Sequence, residues 1–158
     1  MTKHSMNQKA DHSFNEYVTA LIGGQLFGLP ILRVQDVFAP ERLTAVPLSP
    51  PEVAGVLNLR GRIVTLIDMR CRLGLGSRET GQQPMAIGVE SRGESYGLLI
   101  DSVGEVLKLD NQSWEPNPSN LDARLASVST GIYRLDSQLL MVLDVDRVLD
   151  ITVKAVAA

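Results

Sequence analysis

The chain has 158 residues and a formal net charge of -3, which suits one domain or two small lobes sharing a core. This weakly acidic balance argues against general binding to a phosphate backbone, which wants a basic surface. Apolar residues make up 44% and aromatics only 4%, so the core must be aliphatic, and the single cysteine, Cys71, excludes an internal disulfide framework.

Residues 1–13 are rich in Lys, His, Asn, Gln and Ser and read as a disordered leader. The leader has no apolar h-region, so it does not read as a signal peptide. No apolar run approaches the length of a membrane span, and the sequence reads as soluble and cytoplasmic. Order is expected from Phe14. Glu16 to Ile22 has strand content, Gly23-Gly24 a turn, and Gln25 to Leu29 the return strand of a hairpin. Pro30 ends that strand. Pro30 to Phe38 predicts a short helix, with Ile31, Val34 and Val37 on one face. Leu43 to Val46 is a short extended segment closed by Pro47, Pro50 and Pro51.

Val53 to Leu59 and Ile63 to Met69 predict a second strand pair around Arg60-Gly61-Arg62. Gly74 to Pro84 is a polar loop. Met85 to Glu90 and Tyr96 to Ile100 form another hairpin, and Val103 to Leu109 a strand or short helix. Trp114 to Pro118 reads as an irregular connection. Val128 to Leu135 and Leu139 to Val145 make the last strand pair, and Asp146 to Asp150 starts a terminal helix. Residues 151–158 form a tail. Many short strands separated by turns point to an all-β protein built of small barrels with short helices.

An internal repeat organises these elements. Phe27-Gly-Leu-Pro-Ile-Leu-Arg-Val-Gln-Asp-Val37 aligns with Tyr96-Gly-Leu-Leu-Ile-Asp-Ser-Val-Gly-Glu-Val106. Gly55 to Met69 aligns with Gly131 to Val145, with Gly55/Gly131, Leu59/Leu135 and Asp68/Asp144 identical. The simplest reading is a pair of similar β lobes, each too small to bury its face alone, packed on a shared interior.

No catalytic set is present. The two histidines, His4 and His12, lie in the leader, so no triad has an ordered base, and there is no His/Cys cluster for a metal. No Gly-rich segment has phosphate-loop or dinucleotide spacing. Cys71 reads as a small apolar filler. The equivalent places of Asp68 and Asp144 in the repeat point to capping of the turn after each strand, rather than to an acid/base pair. No cofactor is expected.

The stretch Gly55-Val-Leu-Asn-Leu-Arg-Gly-Arg-Ile-Val-Thr-Leu-Ile-Asp-Met-Arg70 concentrates arginine in an acidic protein. Strand alternation puts Arg60 and Arg62 on one face around Gly61. Two readings stay open on the residues alone: a solvated turn with charged tips, or a guanidinium held out for a carboxylate or carbonyl of a partner.

That stretch, with Phe27-Gly-Leu-Pro-Ile-x-x-Val-Gln-Asp-Val37, Gly97 to Val106 and Leu140-Met-Val-Leu-Asp-Val145, resembles the CheW family of chemotaxis adaptors over Phe14 to Asp150. The resemblance implies two SH3-like β-barrel lobes about a shared hydrophobic core, and no enzymatic activity. It implies a bridge between the cytoplasmic tip of methyl-accepting chemoreceptors, a helical hairpin, and the regulatory domain of the histidine kinase CheA, with recruitment to membrane-associated arrays.

Carried over by position, a receptor groove between the lobes would take an apolar wall from Ile31, Val34 and Val37 and a charge from Asp36. Asn58 and Arg60 would come from the strand turn, and Met85 and Gly97 from the facing lobe. Arg62 stands where the family often carries another residue and is a secondary partner contact. Arg70 and Arg72 read as surface charges. Thr65 stands where the family usually has proline, which hints at a subfamily with its own partners. The kinase-binding face is not placed. The same mechanics would serve a non-flagellar CheA-type pathway controlling pili, surface behaviour or development. A small barrel binding single-stranded nucleic acid is a further alternative, against which stand the negative charge and the few aromatics.

Overall fold

The structure, a computed structural model, describes residues 13–78 and 81–151. The predicted leader and tail lie outside the described residues, apart from Ser13 and Ile151.

Eleven strands appear in chain order: β1 (Phe14–Ile22), β2 (Gln25–Pro30), β3 (Val34–Phe38), β4 (Val53–Leu59), β5 (Arg62–Asp68), β6 (Met85–Ser91), β7 (Glu94–Ile100), β8 (Ser102–Asp110), β9 (Trp114–Glu115), β10 (Ser129–Arg134) and β11 (Leu139–Leu143). Three short helices accompany them: α1 (Met69–Leu73), α2 (Ala123–Val128) and α3 (Val145–Val148). The expected hairpins form as β1–β2, β4–β5, β6–β7 and β10–β11, each antiparallel.

Two expectations are corrected. Pro30 to Phe38 is not a helix: a single 3-10 turn at Ile31–Arg33 leads into β3. The three-residue spacing of its apolar side chains fits a helix face, but Val34, Asp36 and Phe38 alternate inward as a strand does. Val103 to Leu109 resolves as strand, and Trp114–Glu115, expected to be irregular, adds a short strand to β10.

The repeat is visible in the sheets. One is ordered β8-β1-β2-β11-β10-β9 and the other β3-β6-β7-β5-β4. Replacing β3, β6, β7, β5 and β4 by their repeat counterparts β8, β1, β2, β11 and β10 turns the second order into the first five strands of the first, to which β9 is added at the edge. Even the parallel register repeats: Phe27 faces Met141 where Tyr96 faces Thr65. The lobes are nevertheless not the two halves of the chain. The hairpin β1–β2 completes the lobe built by β8 to β11, and the chain crosses between lobes at Ile31–Arg33 and again at Asp101. We call the β1-containing sheet lobe A and the β3-containing sheet lobe B.

Each lobe is a small SH3-like barrel with its own apolar interior. Tyr17, Tyr133, Leu140 and Val142 fill lobe A, while Val64, Leu66, Ala86 and Leu99 fill lobe B. A third and larger core lies between them, where Ala20, Ile22 and Phe27 of lobe A meet Ile67, Ile87 and Leu98 of lobe B. Each barrel closes over a repeat glycine. Thr44 bridges to Val56 beside Gly55, and Trp114 of β9 lies across Gly131. A β-carbon at Gly55 would sit 2.8 Å from the Thr44 carbonyl oxygen, and one at Gly131 would strike the Trp114 indole. The identity of these two positions thus follows from the closing segment that passes over each.

The capping roles expected for Asp68 and Asp144 are present. Asp68 accepts from the N–H groups of Arg70 and Cys71 at the start of α1, and Asp144 accepts from that of Arg147 at the start of α3. Thr65 sits in β5, paired to Val56 on one side and Tyr96 on the other. A proline there would lack a donor in a strand with two neighbours.

Candidate interaction site

The β4–β5 turn is built to hold its shape. Arg60 and Gly61 both adopt left-handed backbone, with φ of 54° and 85°, the pattern of a tight two-residue hairpin turn. The Gly61 N–H donates to Asn58 Oδ1 at 2.8 Å, locking the bend from within. Asn58 is therefore committed to the turn rather than freely offered. Arg60, Gly61 and Arg62 are exposed, and Ile63 is 63% exposed behind them. Neither Arg60 nor Arg62 has a side-chain partner among the described residues. Beside the tip, Phe38 to Arg42 and Leu57 to Leu59 line a hollow of about 410 Å³.

The other expected residues distribute differently from the expectation. Met85 opens β6 and Gly97 lies in β7, so both belong to the sheet that also holds Val34, Asp36, Val37 and Asn58. They are not on a facing lobe. Gly97 is buried, with Leu66 and Phe38 side chains bordering the space a β-carbon there would take, and Met85 packs on the interlobe core. Ile31 and Val34 are half-buried against that same core. The Asp36 carboxylate lies over Gly88, in space that any β-carbon would occupy. What remains open for a partner is Val37, 41% exposed, with Arg60, Arg62 and Ile63.

Arg70 and Arg72 are not loose surface charges. Arg70 donates through Nε and Nη2 to both oxygens of Asp101, at 2.9 and 2.6 Å, and through Nη1 to the Ser77 carbonyl. Asp101 also accepts from the Gly23 N–H at 2.8 Å, and Arg78 stands 3.4 Å away. The Arg70 guanidinium holds the Asp101 carboxyl below the ordinary carboxylate range, with Gly23 and Arg78 adding to the pull against burial. This cluster ties α1 of lobe B to the crossover and to the β1–β2 turn of lobe A. Arg72 donates to the Val148 and Arg147 carbonyls at the end of α3, a second tie between lobes.

The repeat carries a charge-inverted partner of the Arg70 cluster. Asp146 occupies the place of Arg70, and it is met by Arg33 from the other crossover, at 3.0 Å. Arg33 also donates to the Glu90 carbonyl, and Ser91 donates to Asp146. The Arg33 bond first, then that of Ser91, draws the Asp146 carboxyl downward. Both clusters were missed as single residues. The signal lay in the alignment, where Arg70 stands against Asp146 and Asp101-Ser102 against Leu32-Arg33.

Cys71 is half-buried, and burial first, then the Glu52 and Asp68 charges, pushes its thiol up, away from an activated nucleophile. Among the described residues no group of His, Cys, Asp and Glu could hold a metal ion. No helix among them is long and apolar enough to cross a membrane.

This arrangement matches a known one. The family model described as a CheW-like domain matches residues 16–153. The chain belongs to the CheW family. It is 26% identical to the chemotaxis protein CheW of Rhizobium meliloti, covering 90% of this chain and 94% of that one. Helicobacter pylori CheW is also 26% identical, over 90% and 86%. A protein named PilI from Pseudomonas aeruginosa is 27% identical, over 71% of this chain and 63% of its own. The crystal structure of the scaffolding protein TtCheW from Thermoanaerobacter tengcongensis superposes with a TM-score of 0.74 at 30% identity, covering 84% of this chain and 90% of that one. The CheW-family scaffold and its two-lobed barrel fold are thus the frame within which the tip must be read.

Proposed function

We propose that this chain is a non-enzymatic adaptor that couples methyl-accepting chemoreceptors to a CheA-type histidine kinase, and that the β4–β5 tip is its receptor contact. The observation that carries the reading is Arg60: an exposed guanidinium, without an internal partner among the described residues, on a bend fixed by Asn58 and set beside a hollow lined by Phe38, Leu57 and Leu59 together with Glu41 and Arg42. An amphipathic helical hairpin offers apolar side chains to such a hollow and carbonyl or carboxylate groups to the arginine.

An adaptor needs a second face that the first partner leaves open. Lobe A supplies one at the crossover. Leu32 is 95% exposed and Phe14 49%, and they border a hollow of about 540 Å³ floored by Tyr17 and Val142. Lys108 lies 5.2 Å over the Phe14 ring. We assign the regulatory domain of the kinase to this face. The two faces predict separable defects in pull-downs with receptor cytoplasmic fragments and with the kinase. Arg60→Ala should lose the receptor and keep the kinase, and Leu32→Glu the reverse. Loss of both partners by either variant, or of neither, would contradict the assignment. The similarity to PilI favours a second reading of the pathway, not of the mechanics: the same adaptor serving a non-flagellar CheA-type system. Pull-down of the native receptor and kinase decides between them.

A further inference from the structure

Lobe A carries a groove that neither face of the adaptor reading uses. The β10–β11 turn overhangs a hollow of about 680 Å³ floored by Leu107, Leu109 and Leu135, the half-buried outer layer of the lobe A interior. Glu105 and Asp136 stand exposed at its rim. Neither carboxylate meets a cation among the described residues, whereas Arg134 at the same rim is neutralised by Glu115 at 3.0 Å. An apolar floor with two unmatched negative charges around it suits an occupant that alternates cation, apolar group and cation. The segment ahead of Ser13 has that order: Lys3, Met6 and Lys9 recur at three-residue spacing, with Asp11 as its one acidic residue. A segment of this composition cannot bury a core of its own, and the groove supplies the missing apolar surface. The chain also enters lobe A at the end of this groove. Asn15 of β1 lies opposite Leu109 of β8, and Asn111 holds Ser13: its backbone N–H donates to the Ser13 carbonyl at 3.0 Å and its Nδ2 to the Ser13 hydroxyl at 2.7 Å. From Leu109 back to Glu105 is about 13 Å along the strand, whereas twelve residues reach roughly 40 Å when extended.

From this placement and charge match we propose that the occupant of the lobe A groove is residues 3–9 of the same chain, with the Lys3 and Lys9 ammonium groups at the rim formed by Glu105 and Asp136 and Met6 on the leucine floor. An unbranched thioether adapts to an irregular apolar surface. Tethering puts the segment at an effective concentration on the order of millimolar, so contacts too weak to hold a free peptide fill the groove. The contact is autoinhibitory: any protein that uses this groove must first displace the leader. It needs neither receptor nor kinase, and so stands apart from the adaptor reading. Being charge-led at an exposed rim, it loosens as salt rises.

Paramagnetic relaxation enhancement on the full chain at low salt tests this. A nitroxide on Ser5→Cys, in a Cys71→Ala background, should broaden the methyl signals of Leu107, Leu109 and Leu135 and spare those of Leu57 and Leu59 in lobe B. Lys3→Glu with Lys9→Glu should remove that broadening, and so should Glu105→Lys with Asp136→Lys. All four substitutions together should restore it, because the charges then match again in reverse, and unshifted methyl signals elsewhere certify each fold. A mixture of nitroxide-bearing chain with isotope-labelled, nitroxide-free chain should show no broadening, since the contact lies within one molecule. A parent without the broadening would overturn the proposal. So would charge variants that keep it, a combined variant that fails to regain it, or broadening between molecules, which would make the occupant a second copy.

Discussion

Replacing Arg70 by Met keeps an unbranched stem in place and removes the guanidinium, leaving Asp101 without its bidentate partner. Side-chain exposures of 13% for Arg70 and 17% for Asp101 put this pair close to the buried limit. Breaking a fully buried pair costs about 3–5 kcal/mol, because the remaining charge is stranded. Two features reduce that here. The Gly23 N–H still donates to the carboxylate, and Arg78, at 3.4 Å, can move in. A loss of about 2–3 kcal/mol follows, or roughly 4–12 °C in Tm for a chain of this size. The repeat provides an internal control. Arg33 and Asp146 are 34% and 60% exposed, so Arg33→Met should cost only about 0–1 kcal/mol. Urea unfolding of the two variants beside the parent measures both. The acid limb adds a check on sign: the Asp101 pKa is lowered in the fold, so its contribution is present above the unfolded value of about 4 and fades as pH falls through the folded one. The Arg70 deficit should therefore shrink in acid. An Arg70 variant no less stable than the Arg33 variant would refute the claim that the two crossovers are held with different strength.

The repeat glycines should respond unequally. Gly55→Ala meets the Thr44 carbonyl at a φ of 152°, a backbone obstacle on strained geometry, and should cost about 2 kcal/mol or more by urea unfolding. Gly131→Ala meets the Trp114 ring, which is 43% exposed and can swing aside, so it should cost less and change the tryptophan fluorescence. Removing the caps by Asp68→Ala or Asp144→Ala should each cost about 1 kcal/mol in the same assay, with no loss of the other cap's helix.

The sequence made some of this legible and hid the rest for identifiable reasons. Hairpins were readable where turn residues punctuate β-branched runs, as at Gly23-Gly24 and Arg60-Gly61. The Asp68 and Asp144 caps were readable because a local role recurs at equivalent positions. Ile31, Val34 and Val37 misled because their three-residue spacing fits a helix face, whereas the segment folds as a 3-10 turn and a strand that turns Val34 inward and leaves Val37 exposed. Helix α2 was passed over although Asp122 caps it, accepting from the Arg124 N–H. The exchange of β1–β2 between lobes was hidden, since a repeat says which segments are alike and not which ones pair. Arg70 looked superficial because its partner, Asp101, lies 31 residues away. At the tip, sequence placed Arg60 on the exposed turn that the structure shows. It could not show that Gly97 and Met85 are packed inside the same lobe.

The central claim is that Arg60 is held out for another protein. The direct measurement is the affinity of the chain for a receptor cytoplasmic fragment, by titration calorimetry, with parent and Arg60→Ala side by side. Loss of a central charged anchor costs about 2 kcal/mol or more, so affinity should fall by more than about tenfold while the unfolding midpoint stays put. Equal affinity of the two proteins would contradict it.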